Sequence, residues 1–271
     1  MGDSNPMFEG INNPLILAAT SDIHGHLEGI QEVCFSRNVD ILVIAGDIEP
    51  ADLFTSKPYW FERKFFPLIS KLNCEVVAIP GNHDFYLSSK YEAIKRGEYS
   101  RVPKNFHLLI DEEVTIKGIR FYGTPWVPYI NGRWCFEADD EDLADRFLQM
   151  PARVDVLITH SPPLMKYHEA DMSLDYPPEY RRHFGSNSLA RVIDAKAPRM
   201  VVFGHIHSGN HRCTTLHANL ENSIVHMWNV SRVNEEYNIA YKIKLLELNP
   251  GCIREMSFNE PFPTGKDKVE G

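Results

Sequence analysis

Ile41-Leu42-Val43-Ile44-Ala45-Gly46-Asp47 decides the fold. Five apolar residues, three of them β-branched, run into a glycine and then a single carboxylate. A buried parallel strand reads this way when it ends by presenting one charge at its carboxyl edge. The same grammar recurs outward from it. Leu15 to Thr20 leads to Ser21-Asp22-Ile23-His24, and Val76 to Ile79 leads to Pro80-Gly81-Asn82-His83-Asp84. Val156 to Ile158 leads to Thr159-His160, and Met200 to Phe203 leads to Gly204-His205-Ile206-His207. In an open α/β sheet ligands collect outside the carboxyl ends of the strands, so these polar residues are expected to meet although they lie far apart in the chain. The pattern predicts a metal site.

Between the strands the periodicity alternates in kind. Leu27, Ile30, Val33 and Cys34 recur at helical spacing and carry the chain from the first strand to the Asp47 strand as a βαβ unit. Residues 49–57 read as a loop, and Tyr59 to Leu72 as a second helix that Pro67 must kink or split. Residues 85–103 predict a helix and a mobile loop beside the site. From Phe106 the period shortens, with strands at 106–110, 114–116 and 119–122, the last two joined around Lys117-Gly118 as a hairpin. This marks a second sheet. Trp126 to Phe136 reads as an aromatic surface loop, Asp139 to Gln149 as an acidic helix, residues 161–185 as an insertion near the site, and Ser188 to Ala195 as a helix. The stretches 212–217, 223–230, 239–248 and 252–257 are expected to complete the second sheet as antiparallel strands. Residues 1–260 read as a single domain, with 261–271 a disordered tail.

Composition narrows the function classes. The 271 residues carry a net charge of −9, which argues against a broad nucleic-acid-binding face or an anionic membrane surface, since both need a basic patch. Five scattered cysteines without a C-x-x-C pair predict free thiols in a reducing compartment. With no signal-peptide pattern at the N-terminus and no apolar window long enough for a span, the expected location is cytoplasmic.

Aspartate oxygen, asparagine oxygen and imidazole nitrogen suit divalent Mn, Fe, Zn, Co or Ni, with manganese favoured here, better than calcium or an iron–sulfur cluster. Seven candidate ligands, Asp22, His24, Asp47, Asn82, His160, His205 and His207, are too many for one ion. Two ions about 3.5–4 Å apart that share a carboxylate would use them economically.

In order and spacing, Asp22-Ile23-His24, Gly46-Asp47, Gly81-Asn82-His83-Asp84, His160 and Gly204-His205-Ile206-His207 resemble the D-x-H, G-D, G-N-H-[DE], H and G-H-x-H blocks of the calcineurin-like metallophosphoesterases. The resemblance implies a four-layer α-β-β-α sandwich of two mixed sheets flanked by helices. It also implies that Asp22, His24, Asp47 and His207 hold one metal, and Asp47, Asn82, His160 and His205 the other, with Asp47 as the bridge. His83 would then face the leaving oxygen as proton donor, oriented by Asp84, while a bridging hydroxide attacks phosphorus in line. Two divalent ions bring more positive charge than the two carboxylates return, and the excess attracts phosphate.

Smaller features point to the ester. Protein phosphatases of this family carry an arginine after the bridging aspartate, where this chain has Ile48-Glu49-Pro50-Ala51-Asp52. Tyr122-Gly123-Thr124-Pro125-Trp126-Val127-Pro128-Tyr129-Ile130-Asn131-Gly132 and His160-Ser161-Pro162-Pro163 are similar to blocks of metallophosphoesterase-domain proteins related to class III cyclic-nucleotide phosphodiesterases. The expected substrate is therefore a small phosphodiester such as a nucleotide; a phosphomonoesterase, protein phosphatase or nuclease is the alternative. A catalytically weak interaction scaffold is the alternative of another class, and the presence of His83 argues against it. Trp126, Tyr129 and Trp134 are read as packing residues. His26, His107, His168, His183, His211, His217 and His226 are read as structural, His26 being the one near enough to line the pocket.

Overall fold

The computed structural model describes residues 8, 11–51, 57–166 and 168–257, so the 261–271 tail and most of the 49–57 loop lie outside the described residues. In chain order the elements are β1 (Leu15–Thr20), α1 (Ile30–Ser36), β2 (Ile41–Ala45), α2 (Pro58–Trp60), α3 (Phe66–Ile69), β3 (Glu75–Ile79), α4 (Phe85–Lys95) and β4 (Phe106–Leu108). There follow β5 (Glu112–Ile116), β6 (Ile119–Thr124), β7 (Val127–Pro128), β8 (Glu137–Ala138), α5 (Asp140–Leu148), β9 (Val156–Thr159), α6 (Asn187–Lys196) and β10 (Met200–Phe203). The chain closes with β11 (Thr214–Ala218), β12 (Ser223–Asn229), β13 (Lys244–Asn249) and β14 (Cys252–Glu255).

Two six-stranded mixed sheets result, ordered β14-β13-β1-β2-β3-β4 and β11-β12-β10-β9-β6-β5. Side-chain alternation explains why they stack. Along β2, Ile41, Val43 and Ala45 enter a core shared with Phe121, Val156, Ile158, Met200 and Val202 of the second sheet. Leu42 and Ile44 point the other way, against Ile30, Cys34, Phe61, Phe65 and Ile69. On the far side Leu157, Val201 and Phe203 pack on Leu143, Phe147, Leu189 and Ile193 of α5 and α6. Each sheet thus buries both faces, and helices form the outer layers of the α-β-β-α sandwich that the resemblance implies.

Three expectations are corrected. Phe106–Leu108 belongs to the first sheet, parallel to β3 with Val76 opposite Phe106. The strands near the C-terminus do not all join the second sheet: β13 pairs antiparallel with β1, Leu15 opposite Leu248, and carries β14 beyond it. β12 lies parallel to β10 rather than antiparallel, with Met200 opposite His226. The physical reason is common to all three. An apolar strand pairs with whichever sheet edge is left open, and that edge is decided by crossovers that local sequence does not encode. Pro67 acts as expected: a π-helical turn at Phe61–Phe65 precedes α3, where the ring sits in the first turn and its missing N–H is harmless.

Candidate metal centre

The polar residues that follow β1, β2, β3, β9 and β10 converge at the carboxyl ends of the two sheets. Backbone strain concentrates there. Asp22, His24, Asp47 and His205 all have left-handed φ, between 40° and 68°, a region that residues with a Cβ seldom occupy and that costs about 1–3 kcal/mol each. The turns need glycine for close approach as well. Gly46 has φ 95°, and a Cβ there would overlap the His160 ring; a Cβ on Gly204 would strike Asp22 and Ser21.

Asp22, His24 and His207 bring one ligand atom each within 4.8 Å of one another, and so do Asp22, Asp47 and His160. Asp47 Oδ2 is the common point, 3.3 Å from His160 Nε2, 3.5 Å from His24 Nε2 and 4.0 Å from His83 Nε2. Asn82 Oδ1 lies 3.0 Å from His160 Nε2, and the His205 ring stands 5.1 Å from that of His160. All seven candidate ligands are therefore gathered, and Asp22 stands close to both halves of the group rather than to one.

Hydrogen bonds set the free nitrogens. His160 Nδ1 faces the Ala45 carbonyl at 2.8 Å and His207 Nδ1 faces that of Asn234 at 3.1 Å, so in each ring Nε2 is turned toward the carboxylates. A ligating imidazole is held in this way. His24 supplies the test of fit: both of its ring nitrogens are buried without a hydrogen-bond partner, and a cation at Nε2, the nitrogen that faces Asp47, would satisfy that one. The donor set fits divalent transition ions.

Charge agrees. Burial alone would raise Asp22, but the hydrogen bond and charge of His207 win and hold it below the usual carboxylate range; Asp47 is held low against burial by His160 and His83. Burial lowers His160 and His207, yet the facing carboxylates lift both to about 9. Burial pushes His24 and His205 down to about 3. Without an ion, protons on two imidazoles supply the positive charge that the carboxylates demand.

Asp84 departs from its expected role. It does not orient His83. Its carboxylate accepts from the backbone N–H groups of Ile48, Glu49 and Gly81 at 2.7–3.1 Å and so ties the β2 turn to the β3 turn. Burial, then the charge of Asp47, push its carboxyl up to about 8. Carboxylates prefer several N–H donors to one when these are prealigned, and this turn prealigns three. His83 is fixed instead by its own N–H, which donates to Asp47 Oδ1 at 2.9 Å, and by a ring contact with Trp134 at 4.1 Å.

Other residues of the site escaped the reading of the sequence. Ser231 Oγ donates to Asp22 Oδ2 at 2.7 Å. Its signal was present, since Trp228-Asn229-Val230-Ser231 repeats the apolar-then-polar grammar at the end of β12. Tyr237, also at positive φ, holds its ring 4.7 Å from His24, 5.4 Å from His207 and 6.3 Å from His83. No pattern announced it. His26 does reach the rim, its Nε2 lying 3.0 Å from the Tyr237 carbonyl.

A four-layer sandwich that gathers two carboxylates, an amide and four imidazoles at its strand ends has the architecture of a metallophosphoesterase. The chain belongs to the calcineurin-like phosphoesterase family, whose model matches residues 16–209. Metallophosphoesterase domain-containing protein 1 of Homo sapiens and of Mus musculus are each 31% identical over 210 residues, which cover 70% of this chain and 59% of theirs. The chain therefore spans about 59% of the length of these relatives. UPF0046 protein C25E10.12 of Caenorhabditis elegans is 24% identical over 287 residues, covering 97% of this chain and 86% of its own. Among solved structures, a phosphopantetheinyl hydrolase from Mycobacterium tuberculosis shares the fold with a TM-score of 0.51 at 16% identity, over 90% of this chain and 96% of that one.

Proposed function

We propose that the chain is a phosphodiesterase that works with two divalent transition ions, manganese first among them. The ions supply Lewis acidity toward the phosphoryl oxygens and acidify water at the site. Asp47 and Asp22 stand between the two halves of the ligand group, with His24 and His207 on one side and Asn82, His160 and His205 on the other. His83 faces the same carboxylate from the rim, placed to hold a proton at Nε2 for the departing oxygen. The observation that carries the reading is Asp47 Oδ2 within 3.3–4.0 Å of three imidazoles from three different loops.

The diester is favoured over the monoester by charge. Among the described residues, the hydrogen-bond and ion-pair partners of the seven candidate ligands are imidazoles, carboxylates, a hydroxyl, an amide and backbone groups, and none is a guanidinium or ammonium that could also clamp a second anionic oxygen. An open cleft of about 790 Å³, lined by Ser208, His211, Tyr241 and Lys244 and by none of the seven candidate ligands, lies along the segment that follows His207. The five cysteines are free, which supports a reducing compartment and a cytoplasmic location. Among the described residues no helix is long and apolar enough to cross a membrane.

Hydrolysis of bis(p-nitrophenyl) phosphate with added Mn²⁺, set against p-nitrophenyl phosphate, tests the reading. Turnover of the diester that is abolished by chelation and by Asp47→Asn is expected. No turnover, or turnover that survives both treatments, would overturn it.

A further inference from the structure

With Asp84 engaged by three backbone N–H groups, the imidazole of His83 depends on some other support. The structure places it on the loop between β7 and β8. Trp134 lies against the His83 ring with centroids 4.1 Å apart and planes at 32°, and the next residue, Cys135, donates its N–H to the Asn82 carbonyl at 3.0 Å. The loop thus grips both residues of the Asn82-His83 pair. Its own shape comes chiefly from one side chain, with Asn131 Oδ1 accepting a further N–H from Arg133 at 3.1 Å. The Glu137 carboxylate accepts from the N–H groups of Ile130, Asn131 and Gly132 on Oε2, at 2.7–2.9 Å, and from those of Arg133 and Trp134 on Oε1, at 3.2 and 2.7 Å. No apolar anchor replaces it at the tip, where Tyr129 is 65% exposed and Ile130 44%. Five successive donors folded around one anion fix a turn that would otherwise have many conformations.

We infer that Glu137 and Trp134 are positioning residues: Glu137 shapes the loop, the loop sets Trp134, and Trp134 holds the His83 imidazole toward the leaving oxygen. The inference rests on the phosphodiesterase reading for its kinetic consequence but not for its geometry. A proton donor matters most where the leaving group is poor, so diphenyl phosphate should feel its loss more than bis(p-nitrophenyl) phosphate.

Two measurements decide it. In the first, Glu137→Gln, which keeps one carbonyl oxygen, and Trp134→Ala are expected to lower kcat on diphenyl phosphate about tenfold, with KM and the bis(p-nitrophenyl) phosphate rate changed less than about threefold. Trp134→Phe, which keeps a ring face, should restore most of the rate. In a His83→Ala background, Trp134→Ala should add no further loss. Equal losses on both diesters, or an undiminished loss in the His83→Ala background, would overturn the inference. In the second, the protein carries 5-fluorotryptophan, and the Trp134 resonance is assigned with Trp134→Phe. It should move in both Glu137→Gln and His83→Ala, while Asp84→Asn leaves it in place. A resonance unmoved by Glu137→Gln and His83→Ala would overturn the positioning whether or not the enzyme turns over. Absence of diester hydrolysis by the unmodified protein would instead sink the functional reading, with the fluorine result still deciding the geometry.

Discussion

The floor and the rim of the site are built by different physics. On the floor, Asp22, His24, Asp47 and His205 hold left-handed φ values where a buried parallel strand feeds each turn, and the turns are tied to one another by backbone bonds from Asp22 to Gly46 and from His24 to Asp47, both 3.0 Å. On the rim, Trp134 and Tyr237 ride on loops held by a few side chains, Asn131 and Glu137 in the first and Asn234 and Glu235 in the second, Glu235 accepting from Ser173 and Ser208. Glu137 gathers the first; Asn234 gathers the second, its Oδ1 accepting from the N–H groups of Glu236 and Asn238 at 3.1 and 2.9 Å. The floor is over-determined by the sheets, whereas the rim hangs on a few side chains. Changes to the floor should therefore abolish function in a rigid protein, and changes to the rim should retune it.

Asp47→Asn is the severest test of the floor. The side chain keeps its size but loses the charge that faces His24, His83 and His160. Diester hydrolysis is expected to fall by about a thousandfold or more, several kcal/mol of transition-state stabilisation. Circular dichroism should remain that of the parent. A variant that keeps a tenth of the rate would remove the distinction between floor and rim.

Next in size is a structural effect with no direct part in chemistry. Asp84→Ala leaves the buried N–H groups of Ile48, Glu49 and Gly81 without their acceptor, and each such group costs about 1–3 kcal/mol. Unfolding in urea should show a loss of about 3 kcal/mol or more. Asp84→Asn, which retains one oxygen to accept from these donors, should lose less. Equal stability of Asp84→Ala and the parent would show that the two turns are held together by the strands alone.

Why the floor was legible and the rim was not follows from these anchors. Each floor residue follows an apolar, β-branched run, and the run itself announces both the strand and its end, as at Val43-Ile44-Ala45-Gly46-Asp47. Strand allocation was less legible. Phe106–Leu108 and Lys244–Asn249 carry the right composition, but their partners Glu75–Ile79 and Leu15–Thr20 are chosen by distant topology. Asp84 was misread because its partners are backbone N–H groups, which no residue type advertises. Glu137 was invisible for the same reason, and Trp134 looked like packing because its partner His83 lies about fifty residues upstream, in a turn after another strand.

Proton release sharpens the comparison from the electrostatic side. In the ion-free protein His160 and His207, one in each half of the site, have pKa values raised from 6.5 to about 9, so both carry protons at neutral pH. A cation must displace them. Between pH 6.5 and about 9, affinity for each ion is expected to rise about tenfold per pH unit, about 1.4 kcal/mol, and to level off above that range. The sign for ion-free stability is opposite: the stabilisation from these imidazolium–carboxylate pairs is complete below pH 6.5 and is lost as the pH climbs through about 9. Titration of Mn²⁺ by calorimetry in two buffers of different ionisation enthalpy counts the protons directly. Binding without proton release would place the ions away from His160 and His207.

The smallest effect belongs to the rim. Asn234→Ala removes the acceptor for Glu236 and Asn238 but leaves the backbone carbonyl that receives His207 Nδ1 and the Tyr237 N–H. His207 should therefore keep its tautomer, and the loop that carries Tyr237 should loosen. Metal affinity is expected to fall by less than about threefold, because the bond to the ligand survives, while KM for the diester rises severalfold as the Tyr237 ring loses its fixed place over His24 and His207. The two readouts separate the roles of one residue. If metal affinity fell tenfold or more with KM unchanged, Asn234 would belong to the floor, and the boundary would run between Asn234 and Tyr237 rather than beneath the whole loop.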